Sequence, residues 1–152
     1  MTVSTFATPA TPRPARSRLP LAAGLLGVAW NLFGVVQWAL SLGATPESLM
    51  GGGLTRAQAD LYLSLPPWMT LAFAVGVFGG LLGSVALLLR RRSAAPILGL
   101  SLTAYGVLFA GDAALGLFAA IPHQLAILSI VVAIAIALYA IARRTRAEGG
   151  LR

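Results

Sequence analysis

Asp112 is the residue with the most chemistry to offer. It is the only acid inside a long apolar stretch of the chain. An ionisable group at membrane depth costs several kcal/mol and therefore faces a bundle interior, a partner or water. Ser101, Tyr105, Asp112 and Gly116 share one stripe of a helix by their spacing. Gln37, on another apolar stretch, is expected at a similar depth, and Asn31 nearer the midplane. A solute- or proton-linked polar site can be assembled from Asp112, Asn31, Gln37 and Tyr105. Two plainer fates compete with it. Asp112 sits about two turns from the end of its stretch and can reach water, or it can pair with Arg56 from the long loop. A buried Asn can likewise serve only to tie helices together.

Other chemistries find no support in the residues. The chain has no Cys, which excludes thiolate metal sites and Cys nucleophiles. The single His, His123, stands next to Pro122 with no partner at metal-ligand spacing. The serines form no nucleophile elbow, and there is no phosphate loop or dinucleotide fingerprint. The expectation is a protein that is not an enzyme and uses no cofactor or metal.

These residues need elements to hold them. Of 152 residues, 58 % are apolar and 10 % charged, against about 45–50 % and 25 % in soluble domains. Lipid must cover such a surface. About 20 apolar residues span a bilayer as a helix, and the sequence predicts four spans, over about 20–42, 68–89, 96–118 and 124–142. Residues 119–123 then make a tight turn between the last two. The expected fold is all-α, a four-helix transmembrane bundle of two helical hairpins over 19–142. A Pro- and Thr-rich disordered tail precedes it over 1–18, and a basic tail follows over 143–152. The first apolar run, 23 residues from Pro20 to Leu42, is too long for the core of a signal peptide, about 7–15 residues.

Charge orients the chain. All eleven basic residues are Arg. Arg13, Arg16 and Arg18 precede the first span; Arg90, Arg91 and Arg92 lie between the second and third; Arg143, Arg144, Arg146 and Arg152 follow the fourth. Only Arg56 falls on the other side. Positive charge collects in the cytoplasm, so both termini are expected there, in a bacterial cytoplasmic membrane. The arginines are expected to meet anionic lipid headgroups. Their clustering beside apolar runs gives no basic face for nucleic acid.

The opposite side carries the loop 43–67. Thr45-Pro46-Glu47 reads as the start of one short helix. After Gly51-Gly52-Gly53, Thr55 and Gln58 form a capping box for another that ends near Leu65. Leu61, Tyr62 and Leu65 can lay its apolar face on the membrane or the bundle. Gly76, Gly79, Gly80 and Gly83 in the second span, and Gly24, Gly27 and Gly34 in the first, are expected to pack helices closely, within one chain or between two copies.

Together these residues carry a resemblance. Trp30-Asn31-Leu32-Phe33-Gly34, the Thr55-x-x-Gln58 box leading to Tyr62 and Pro67-Trp68, the run Gly76-Val77-Phe78-Gly79-Gly80-Leu81-Leu82-Gly83-Ser84, then Leu87-Leu88-Leu89-Arg90-Arg91, Ala95-Pro96 and Leu100-Ser101-Leu102 resemble a family of small bacterial four-helix membrane proteins labelled "sugar transporter". The resemblance covers about 20–142. It implies traffic of a small solute, sugars among the candidates, by an oligomer, since four helices make a thin bundle. It assigns no binding residue. The alternative is a non-transporting accessory or scaffold subunit of the same membrane.

Overall fold

A computed structural model describes residues 18–151. The tail expected over 1–18 lies outside the described residues except for Arg18, as do Arg13, Arg16 and Arg152. Among the described residues the secondary structure is all helix, with no strand. Four helices are long and apolar enough to cross a membrane: α1 (Leu19–Leu42), α4 (Pro67–Leu88), α5 (Ala94–Ala114) and α7 (Pro122–Ala147). Between α1 and α4 lie the short helices α2 (Pro46–Gly51) and α3 (Arg56–Leu63), and between α5 and α7 lies α6 (Leu117–Ala120). Proline stands in the first turn of α1, α2, α4 and α7, where its missing N–H costs no helical bond.

Helix ends explain where the expected boundaries slip. The third span stops at Ala114, not 118, because Gly116 takes a left-handed φ of 77°. Gly116 therefore leaves the stripe it was expected to share with Ser101, Tyr105 and Asp112. The connection to α7 runs from Leu115 to Ile121 and contains α6; it is longer than a turn at 119–123. The fourth helix runs to Ala147, so Arg143, Arg144 and Arg146 are helical and not part of a tail. Gly149 at φ 71° then reverses the chain, the Gly150 N–H donates to Thr145 O at 2.8 Å, and Leu151 is buried in the core. Such a reversal is the usual way to satisfy the last carbonyls of a helix. α4 ends the same way: Arg90 at φ 54° stands where glycine is usual, and Arg91 N–H donates to Ala86 O at 2.8 Å.

The four long helices pack antiparallel, as their contact pairs show. Along α1 and α4, Gly24 faces Leu88, Gly80 faces Asn31 and Gly34 faces Val77. Along α4 and α5, Gly83 faces Leu98, Gly79 faces Ser101 and Gly76 faces Tyr105. A Cβ on Gly76 would stand 2.7 Å from the Tyr105 ring, and one on Gly83 2.6 Å from Leu98 Cγ. Ser101 Oγ donates to Gly76 O at 2.6 Å across this interface. Lipid supplies no hydrophobic drive between helices, so association relies on such close contact. All six of these glycines, and Gly27 as well, meet side chains of their own chain.

This register gathers Arg18, Arg90–Arg92 and Arg143–Arg146 at one end of the bundle, the arginine end. The other is the loop end. The halves differ in packing. Near the arginine end, Ala23, Leu87, Leu98, Leu138 and Ala142 form a continuous buried cluster. There Gly27 of α1 comes so near α7 that a Cβ on it would lie 3.0 Å from Leu138 Cδ2. Toward the loop end α1 and α7 part, and both line a cavity there.

Candidate functional site

A cavity of about 380 Å³ occupies the loop-end half of the bundle. α1 contributes Trp30, Phe33, Gln37 and Ser41; α4 contributes Met69, Thr70 and Phe73. α5 adds Tyr105 and Asp112, α7 adds Gln124, Ile127 and Val131, and α3 adds Tyr62. Its floor is the Val77–Tyr105–Ala135 cluster. Its mouth lies between α1 and α7, flanked by Phe33 at 59 % and Ile127 at 53 % exposure.

Asp112 is the polar centre. It is 2 % exposed, and its Oδ2 accepts a hydrogen bond from Gln124 Nε2 at 3.0 Å. Helix geometry supplies both partners. Asp112 stands in the last turn of α5 and Gln124 in the first turn of α7, so the short connection through α6 brings them together. The alternative partner, Arg56, is elsewhere: its Nε donates to Asp60 Oδ1 at 3.1 Å on the exposed side of α3.

The four residues expected to build a polar site divide. Asp112, Tyr105 and the exposed Gln37 line the cavity. Asn31 does not. It is buried against Gly80, and its Nδ2 donates to Gly27 O at 2.8 Å. Its amide serves the α1–α4 contact nearer the arginine end. Among the further lining residues, Gln124 and Tyr62 bring polar groups that the spacing of residues does not single out. Tyr62 sits over the mouth at the loop end. Burial pushes its phenol above the ordinary value, and the negative charge of Asp112 adds to this.

Gln58 fixes the helix that carries Tyr62. Its Oε1 accepts from the Thr55 N–H at 2.9 Å, while Thr55 Oγ1 accepts from the Gln58 N–H at 3.3 Å. Its Nε2 donates to Ala120 O at 2.6 Å, tying α3 to the α5–α7 connection. Gln58→Leu keeps the Thr55 cap but removes the reciprocal half of the capping box and the tie to Ala120, each hydrogen bond worth about 1 kcal/mol. Faster amide exchange over 56–63, with the four long helices unchanged, is the expected result; unchanged exchange would show that α3 is held by its apolar contacts alone.

At the arginine end a broader groove runs between α5 and α7 beside Tyr139, Arg143 and Arg146. The Arg143 guanidinium lies 5.9 Å from the Tyr139 ring centre. Arg144 is engaged separately, its Nε bonded to Glu148 at 2.9 Å. Among the described residues no group of three His, Asp or Glu side chains converges on one point.

No protein-family model matches the chain, and no curated protein or solved structure matches it.

Proposed function

We propose that this multi-pass membrane protein carries a small solute across a bacterial cytoplasmic membrane, acting as an oligomer with both termini in the cytoplasm. The observation that supports this is the cavity around Asp112. It lies in the loop-end half of the bundle, opens between α1 and α7, holds a buried acid hydrogen-bonded to one amide, and is shut toward the arginine end by the Leu87–Leu98–Leu138 cluster. A solute site with one access closed and the other open is what alternating access requires. The gathering of arginines at the closed end supports the orientation. Sugars enter as candidates by the family resemblance alone.

The test is uptake into proteoliposomes of a panel of labelled solutes, sugars included, under an imposed pH gradient. Saturable uptake by the native protein that falls to background in Asp112→Asn is expected. No uptake of any solute, with insertion verified, would overturn the reading in favour of an accessory or scaffold role. Orientation is tested separately. A periplasmic reporter fused after Gly52 is expected to be active and one after Arg92 inactive; the reverse pattern would invert the topology.

A further inference from the structure

The charge balance of the cavity points to its substrate class, a step that rests on reading the cavity as a solute site. Asp112 is 2 % exposed. Among the described residues its carboxylate accepts a hydrogen bond from Gln124 alone. An amide N–H eases a carboxylate's charge without cancelling it. Among the described residues no Arg, Lys or His lines the cavity. Arg56 is held by Asp60, and His123, exposed, lies outside the lining. Aromatic rings are plentiful instead: Trp30, Phe33, Tyr62, Phe73 and Tyr105 all contribute. Ring faces attract cations, most strongly when both are out of water.

We infer that the cavity binds a lipophilic organic cation, its charge against Asp112 and its apolar body among the aromatic rings. A neutral sugar would leave the carboxylate uncompensated once water is displaced. That penalty amounts to several factors of ten, whereas each hydrogen bond to a sugar hydroxyl nets less than about tenfold. A cation removes the penalty. The route in fits as well. The mouth opens between two membrane-spanning helices and is flanked by Phe33 and Ile127, where an amphipathic cation can enter sideways from the bilayer. Tyr62, held as the neutral phenol, adds a ring and a hydroxyl rather than a second negative charge.

The experiment is equilibrium dialysis of the full chain in nanodiscs against labelled tetraphenylphosphonium, with labelled glucose in parallel and empty nanodiscs as the blank. Saturable phosphonium binding above the blank is expected, weakened at least about tenfold in Asp112→Asn and not displaced by a large excess of glucose. Equal phosphonium binding by the native protein and Asp112→Asn overturns the inference. Saturable glucose binding without phosphonium binding overturns it too, while leaving the solute site standing. Binding of neither removes the solute site as well. Should Asp112→Asn fail to fold, Tyr62→Leu, in a short helix outside the spans, takes its place. A loss of about threefold or more is expected there, and unchanged affinity overturns the inference.

Discussion

Gly80→Ala will destabilise the bundle by about 2 kcal/mol, and most of that loss will be recovered when Asn31 is also shortened. A Cβ at position 80 falls on the Asn31 side chain, 2.6 Å from its Cγ and 3.0 Å from its Nδ2. That amide cannot swing freely, because it is buried and bonded to Gly27 O at 2.8 Å. Forcing a methyl into a filled contact costs about 1–3 kcal/mol. Asn31→Ala alone loses one hydrogen bond inside the membrane, on average about 0.6 kcal/mol. In the double variant the alanine methyl at 80 occupies space that the Asn side chain vacates. The two effects therefore couple by about 2 kcal/mol, which leaves the double variant near the loss of Asn31→Ala alone. Gly106→Ala is the control. Nothing lies within 4 Å of a Cβ there, so that change is expected to be neutral or slightly stabilising through helix propensity. Reversible unfolding in mixed detergent micelles measures all four variants. Strict additivity of Gly80→Ala and Asn31→Ala would show that the α1–α4 contact yields elsewhere than at Asn31.

The same pair shows what the sequence made legible. Gly24, Gly27, Asn31, Gly34 and Trp38 share one face of α1 by their spacing, and that face meets α4 through Leu88, Asn31–Gly80, Val77 and the Trp38 Nε1 bond to Thr70 O. The spacing thus already assigned Asn31 to helix packing. Grouping it with Asp112 by depth alone set aside the direction in which it points. Gln37, off this face, reaches the cavity. The four spans were legible because a run of about 20 apolar residues has few other uses. The end of α5 was not, because Leu115, Leu117 and Phe118 continue the apolar run past the left-handed Gly116. Hydropathy cannot register a change in φ. Gln124 escaped for a related reason. Its contact with Asp112 crosses a reversal of the chain, and helical periodicity carries no information across a turn. Tyr62 belongs by its spacing to an apolar loop face, and the tie from Gln58 to Ala120, which no local pattern announces, helps hold it over the cavity.

Asp112→Asn is expected to stabilise the folded protein while removing its function. The two side chains have the same shape, and the Asn carbonyl can accept the Gln124 Nε2 hydrogen bond that Asp112 Oδ2 accepts at 3.0 Å. What disappears is the ionised form. At the centre of a transmembrane helix that form costs about 2.5–3.5 kcal/mol on an insertion scale. Asp112 lies two residues from the end of α5 but is 2 % exposed, so a gain of about 1 kcal/mol is expected. Gln124→Leu should act in the opposite sense. It leaves the buried carboxylate without its donor and costs about 1–3 kcal/mol. Thermal unfolding of the three proteins in one detergent separates the two accounts of the acid. If Asp112 is a structural anchor, the Asn variant will be no more stable than the native protein, because the charge itself would be strengthening the contact with α7. If the acid is retained for a ligand, the charge is a cost borne by the unliganded fold, and neutralising it must raise stability as solute binding is lost. Stability and binding moving in opposite directions at one atom would mark Asp112 as functional more firmly than loss of uptake alone, since any damage to the bundle can abolish uptake but damage does not stabilise.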